Sequence, residues 1–295
     1  MVRKNNFFVT LFLIVSYTTI GQVNLKYSLE VNDNFILQQD AVQTITQDIQ
    51  GNIQEVENKI KSTIHFTVTK KTRRAITLNV GFKSYSAKTS SPELGILMDV
   101  DTHIEQETPQ GKAFMGLIES YITIVINRSG KVIDIQNVDA FVLGLLSKMD
   151  IEDDKLLEVS KKGLEKEWGA KHLGSFFEQI LYNYSRRKVD IGDSWKNTFE
   201  AKNGLSANNT WTLDAIENNT YKISCVADIT LQVDSDKIIM NLTGTQQTEL
   251  IADSSNGLPV KLTVISSNEG DSFSKSIGDF KIPTKITSIT TYTRL

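Results

Sequence analysis

Asp99, Asp101, His103, Glu105 and Glu107 recur at every second position, with Met98, Val100 and Ile104 on the alternate positions. On a strand this spacing would set four carboxylates and an imidazole along one side. Carboxylate oxygens suit Ca²⁺, and such a row could also meet a basic partner. A calcium site, however, needs oxygens converging from a loop, and same-face neighbours on a strand stand about 7 Å apart. The row therefore reads first as a solvated face whose charges guard an exposed sheet edge, with binding as the lesser reading. Cys225 shares its strand face with Ile223, Ala227 and Ile229 and has no basic neighbour, so it reads as a small buried hydrophobe rather than a nucleophile. His172 precedes Glu178 by six positions, outside the three-or-four spacing that puts ligands on one helix face. His65 lies between Ile64 and Phe66 and faces away from the apolar side of its strand.

Asp190, Asp193 and Ser194 stand just before Trp195. Hydrolysis would need a histidine base and an oxyanion hole, and no Gly-x-Ser-x-Gly elbow occurs in the chain. The simpler account is a turn that Gly192 relaxes and Asp193 or Ser194 hydrogen-bonds, after which Trp195 enters the core at the start of a strand. Phosphate-binding glycine loops, CxxC pairs and dinucleotide fingerprints are missing from the sequence. No enzyme activity, metal or cofactor is expected.

Composition narrows the classes further. The 295 residues are 40% hydrophobic and 23% charged, which is globular and excludes intrinsic disorder. One cysteine excludes a disulfide framework, and three scattered histidines argue against a multi-histidine metal site. The formal net charge is −3 and no Lys/Arg run occurs outside short clusters, so no nucleic-acid partner is expected.

The first residues carry an export pattern. Arg3 and Lys4 precede an apolar run over 7–15, and Gly21 offers a small residue before Gln22. The run is shorter than the roughly 20 apolar residues that span a bilayer. Residues 1–21 are therefore expected to be a cleaved signal peptide, which leaves no stable membrane span. The only cysteine is Cys225, so no lipoprotein cysteine lies near the cut. A periplasmic or secreted location follows as the expectation.

The elements that must position all these residues change period along the chain. Over 25–136 the dominant period is two, as in Leu25, Tyr27, Leu29 and Val31, and again in Ile76, Leu78, Val80 and Phe82. Such alternation marks antiparallel strands with one buried face. Asn127-Arg128-Ser129-Gly130-Lys131 reads as a hairpin turn. The period then becomes helical: Val138, Phe141, Val142, Leu145, Leu146 and Met149 lie three and four apart. A second helical stretch begins near Asp153 and Asp154, with Gly169 and Gly174 expected to bend or split it. Arg186-Arg187-Lys188 is placed at its C-terminal end. Strands return after Trp195, the longest alternation running from Tyr221 through Ile223, Cys225 and Ala227 to Val233.

The expected fold is α+β: a curved antiparallel sheet or half-barrel in two β halves, 22–136 and 189–295, with a helical insert over 137–188. The two halves are expected to pair into one core. The hairpin around Ser129-Gly130 resembles the one around Asn256-Gly257, which a duplication or shared turn chemistry would each explain.

The aromatic helix face of Trp168, Phe176, Phe177 and Tyr184 is the candidate ligand-binding set, although a helix on a sheet buries such a stripe as plain core too. With Gly192-Asp193-Ser194-Trp195 and the Gly257-Leu258-Pro259-Val260 hairpin, the layout resembles an uncharacterised secreted or periplasmic family of the Bacteroidota, a domain of unknown function, over about 23–295. In layout it is also similar to periplasmic lipoprotein-carrier half-barrels, which hold acyl chains between sheet and helix. These observations lead to an exported, non-enzymatic envelope protein binding an apolar ligand, such as a lipid, between sheet and helices. The alternative is a scaffold that binds another envelope protein and no small molecule, with the acidic row as its patch.

Overall fold

The computed structural model describes residues 21–201, 204–235, 238–275 and 280–295. The expected signal peptide, apart from Gly21, lies outside them. Twelve strands and four helices follow one another in the described residues. The first five strands and the first helix are β1 Asn34–Ile49, β2 Asn52–Lys71, β3 Ala75–Ser91, β4 Gly95–Asp101, α1 Pro109–Glu119 and β5 Tyr121–Asn127. After β6 Val132–Gln136 come α2 Val138–Ser147, α3 Asp154–Trp168 and α4 Ala170–Leu181. The remaining strands are β7 Ser194–Glu200, β8 Leu205–Glu217, β9 Thr220–Asp234, β10 Ile238–Asp253, β11 Pro259–Ser274 and β12 Lys281–Arg294.

All twelve strands form one antiparallel sheet in the order β6-β5-β3-β2-β1-β12-β11-β10-β9-β8-β7, with β4 pairing β3. The sheet is open, its path ending at β6 and β7. Its two halves meet where β1 pairs β12, in a register that runs from Leu37 opposite Arg294 to Gln47 opposite Thr284. Alternation explains which face is buried. Ile64, Phe66 and Val68 of β2, and Ile76, Leu78 and Val80 of β3, are all nearly solvent-free. They pack with Phe141, Val142 and Leu145 of α2 and with Leu173, Phe177, Ile180 and Leu181 of α4.

The segment over 23–31 is not a ladder strand, although Leu25, Tyr27 and Leu29 are buried as their alternation requires. Its backbone bonds to turns instead. The N–H of Tyr27 donates to Arg128 O and that of Ser28 to Asn256 O, so the segment joins the two hairpin turns that look alike in sequence. The Tyr27 hydroxyl donates to Leu181 O at the end of α4, and its ring meets Tyr184 at 5.0 Å between centroids.

Several local expectations need adjustment. α1 interrupts the region read as continuous strand, and its signals are Thr108, whose hydroxyl caps Gly111 N–H at 3.0 Å, and Pro109 in the first turn. The long helical stretch splits at Gly169, which ends α3 and starts α4, whereas Gly174 lies within α4. The basic residues Arg186, Arg187 and Lys188 lie beyond α4, which ends at Leu181, and so cannot cap it. α3 buries no residue fully and leaves Leu156 and Val159 exposed.

Gly130 carries φ of +91° and lies against α4, where an added Cβ would sit 1.7 Å from Leu181 O. Gly192 has a similar φ of +90° but open space around it. Gly130→Ala is expected to cost at least about 3 kcal/mol and lower Tm by roughly 6–12 °C, against about 1 kcal/mol for Gly192→Ala. Thermal denaturation followed by circular dichroism checks the contrast. Equal losses would show that backbone conformation alone sets the cost.

Asp253 organises the β10–β11 turn. Its carboxylate accepts from Ser255 N–H and Oγ at 3.0 and 2.6 Å, and from Arg294 Nη2 at 3.1 Å. The Ser255 hydroxyl, its N–H and Arg294 hold the carboxyl below its usual range against the opposing effect of burial. A depressed folded-state pKa gives stability that is present above about pH 4 and lost as the pH falls through the folded value. Asp253→Asn is expected to cost about 1–2 kcal/mol at pH 7, and urea titrations should show that deficit shrinking below about pH 4.

Candidate functional site

The sheet's inner face and α4 border a hollow of about 490 Å³ that is partly open to solvent. Its helix side is formed by Phe176, Gln179, Tyr182 and Asn183. Its sheet side draws on β1, β2 and β3 from one half, and on β8 through β12 from the other. Part of that wall is apolar: Tyr85, Ala207, Trp211, Ile229, Val264 and Ile286 all border it. Burial pushes the Tyr85 hydroxyl up to about 12, so it stays neutral and keeps its proton.

A polar row crosses the same wall. Asn58, Gln43, Ser288, Ser266 and Gln246 stand opposite one another on β2, β1, β12, β11 and β10. Thr89 of β3 continues the row at one end. At the other, past Ala227 of β9, come Asn209 of β8 and Asn197 of β7. Members of the row bond sideways: Thr89 Oγ1 donates to Asn58 Oδ1 at 2.8 Å, and Asn58 Nδ2 to Gln43 Oε1 at 3.1 Å. The Ser266 and Ser288 hydroxyls lie 2.8 Å apart. No residue of the row is ionisable. The register rows on either side are mainly apolar, with Ile60, Ala41 and Val264 on one and Ile45, Ile286 and Ile229 on the other.

At the β7 end the amides are locked in orientation. Asn197 Oδ1 accepts from Trp211 Nε1 at 3.1 Å and from Asn209 Nδ2 at 2.8 Å, while its Nδ2 donates to Tyr182 O at 2.9 Å. Because indole can only donate, Asn197 cannot be reversed, and Asn209 must present its Nδ2 to it. Asn183 is fixed likewise by its Nδ2 donating to Ile180 O at 2.7 Å. Among the described residues, the side-chain oxygens of Asn183, Asn209 and Asn268 are buried without a hydrogen-bond partner, and all three residues border the hollow. An unpaired buried acceptor costs about 1–3 kcal/mol, so each of the three calls for a donor from what fills the hollow.

The four aromatics singled out in sequence take different places. Phe176 borders the hollow. Phe177 is fully buried, edge-on to Phe66 at 6.0 Å and 5.0 Å from Phe176. Trp168 stands one ring further away, among Phe82, Tyr85, Phe114 and Phe141, all at 6.0–6.3 Å. Tyr184 is buried at Tyr27, its hydroxyl donating to Gly257 O at 2.5 Å. The structure therefore does not gather the four around one space. What single-strand reading could not give is the polar row, since its members come from different strands and align only once the register is known.

The other chemical candidates are dispersed. β4 ends at Asp101, so Glu105 and Glu107 do not extend a strand face; Asp99 pairs with Lys88 at 3.2 Å, and Asp101 with His103 Nδ1 at 2.9 Å. Burial pushes the Cys225 thiol up to about 12, which leaves it protonated. The Ser194 hydroxyl bonds the Thr212 hydroxyl at 2.9 Å, and the Asp193 carboxylate accepts from Asp190 N–H at 2.9 Å, closing the expected turn.

The chain belongs to a family of unknown function, DUF6263, which it matches over residues 73–259. The match leaves β1, β2, β12 and all of β11 but Pro259 outside it. No curated protein matches the sequence. Among solved structures, a lipovitellin determined for its lipid–protein interactions is similar at a TM-score of 0.49 and 9% identity, covering 91% of this chain and 25% of that one. The chain thus spans about a quarter of lipovitellin's length. An outer membrane channel of Pseudomonas putida F1 is similar at a TM-score of 0.26 and 7% identity, covering 92% of this chain and 98% of the channel. The translocator domain of autotransporter NalP from Neisseria meningitidis gives 0.22 and 6%, over 90% of both chains. At these scores the likenesses assign neither ligand nor location. No helix among the described residues is long and apolar enough to cross a membrane.

Asn197→Ala would strand the Trp211 indole N–H, the Asn209 amide and the Tyr182 carbonyl together. It is expected to cost about 2–4 kcal/mol by urea denaturation. A loss below about 0.5 kcal/mol would mean that the three groups find other partners and that the orientation of Asn209 is not fixed.

Proposed function

We propose that this protein is an exported, non-catalytic binding protein of the cell envelope that holds a lipid-like amphiphile between α4 and the inner face of the sheet. The observation that carries this reading is the hollow of about 490 Å³ between α4 and the inner face of the sheet. Ligand sites are clefts or cavities of about 300–1,000 Å³. Curvature supports it: seven gaps between flat-lying strands would cover about 34 Å. Strands as distant in sheet order as β3 and β8 border one hollow, which calls for a sheet that curls as a half-barrel. Phe176, Tyr85 and Trp211 would then meet the apolar part of the ligand. Phe177, against Phe176, and Trp168, against Tyr85, would support that wall from behind. A non-catalytic role fits the protonated Cys225 and the Ser194 hydroxyl bonded to that of Thr212. Export and cleavage after Gly21 rest on the basic and apolar pattern of the first residues.

A second reading has its own observation. Leu94, Ile96 and Leu97 of the β3–β4 hairpin are 50–71% exposed, beside Asp99 and Glu93. That tip would serve a scaffold that docks another envelope protein.

Native mass spectrometry of residues 22–295, purified from an envelope fraction without detergent, separates the two. Excess mass that organic solvent extracts as one amphiphile per chain is the expected result. Ala41→Trp, which fills the hollow from β1, should abolish that mass while leaving the circular dichroism unchanged. A clean apo mass with no uptake of added lipids would overturn the carrier reading in favour of the scaffold.

A further inference from the structure

We infer that the hollow selects amphiphiles with an uncharged, polyhydroxylated headgroup, such as a glycosyl group, and discriminates against phosphate- and carboxylate-headed lipids. The inference rests on the reading of the hollow as a ligand site and adds the chemistry of what fills its polar part.

The argument starts from which atoms are still free to bond. Three amides already donate inside the protein: Asn58 Nδ2 to Gln43 and Asn209 Nδ2 to Asn197 within the row, and Asn183 Nδ2 to Ile180 O beside it. What remains buried and unpaired is a set of carbonyl oxygens, on Asn183, Asn209 and Asn268. Carbonyl oxygens can only accept, so a ligand that satisfies them must bring O–H or N–H groups. Phosphate diesters and carboxylates bring acceptors, and would set lone pair against lone pair.

Charge points the same way. No Lys, Arg, Asp or Glu stands in the register row from Asn58 to Asn209. Lys59 and Lys88, which also border the hollow, are exposed and already paired with Glu57 and Asp99 at 2.6 and 3.2 Å, and Glu178 would repel an anion. An ionised headgroup at the row would thus give up its hydration without a free counter-charge. A sugar has several hydroxyls that each donate and accept, together with apolar C–H faces. Those properties match a wall where Asn, Gln and Ser alternate with Ile, Ala and Val rows. The flanking apolar rows and Phe176 leave room for a tail on either side of the polar row.

The test titrates residues 22–295 with dodecyl maltoside, dodecylphosphocholine and laurate, all below their critical micelle concentrations, and with maltose. Trp211 borders the hollow, so its fluorescence can report binding alongside calorimetry. The expected result is dodecyl maltoside binding about tenfold or more tightly than the other two amphiphiles, and more tightly than maltose. Equal affinity for the three amphiphiles would overturn the headgroup inference and leave the carrier reading standing. No binding of any of them would overturn both. Maltose binding as tightly as dodecyl maltoside would overturn the carrier reading and keep the preference for hydroxyl donors.

A variant isolates the acceptors. Asn268→Leu removes one orphan oxygen and should weaken dodecyl maltoside about fivefold or more, with dodecylphosphocholine unchanged and Tm unchanged or raised. Should that variant fold poorly, Asn268→Ala carries the same expectation for affinity. Unaltered maltoside affinity in a folded variant would sink the role of Asn268.

Discussion

An open sheet of this width must cover its inner face with something other than itself. A closed barrel removes both edges and lets opposite walls pack together, but here the path ends at β6 and β7. The chain meets the demand with α1, α2 and α4, and with the buried stretch of Leu25, Tyr27 and Leu29. These pack over the Ile64–Phe66–Val68 end of the strands. The hollow lies where β1, β12, β11 and β10 run on past Gln39 and Tyr292, facing Phe176, Gln179, Tyr182 and Asn183. Cover and hollow are thus two outcomes of one geometric demand: fixed helix lengths laid against strands of up to 20 residues.

The order of strands adds a second consequence. The first and last strands of the described sheet, β1 and β12, lie at its centre, so the two β halves are joined by a full ladder rather than by a linker. The seam carries Gln43 opposite Ser288 and Ala41 opposite Thr290, which places the middle of the polar row across the junction. Register there is protected by Gln39, whose amide donates to the Tyr292 hydroxyl and accepts from Ser62. A slip of one residue would turn this polar row outward and drive the alternate face inward, breaking every sideways bond at once.

Much of this was legible in the sequence because period reports local burial. The alternations at Ile76–Phe82 and Tyr221–Val233 are strands β3 and β9, the 3.6-residue spacing from Val138 is α2, and Gly169 divides α3 from α4. α1 escaped because its apolar face is short and broken by Gly111 and Gly116; only Thr108 and Pro109 announce it. The stretch of Leu25, Tyr27 and Leu29 alternates as a strand does, since an extended segment pressed into a core also buries every second side chain. The site was harder to see. Phe176 was visible as an aromatic on a helix face, but Asn58, Gln43, Ser266, Gln246 and Asn209 look like ordinary polar residues on their own strands. Only pairing turns them into a row.

That row runs against the usual economy of a core. Placing neutral amides and hydroxyls on the inner face lowers the hydrophobic return from folding, and locked orientations at Asn183 and Asn209 leave acceptors unpaired. Isoleucine or valine at these positions would give a drier, better packed face with the same alternation. A sheet built for stability alone has no use for amides here. The Asn197 network also fixes the oxygen of Asn209 before any partner arrives, so binding need not order that amide. Stability given up at the row and orientation gained at its amides are the two sides of a preorganised polar surface inside an apolar wall.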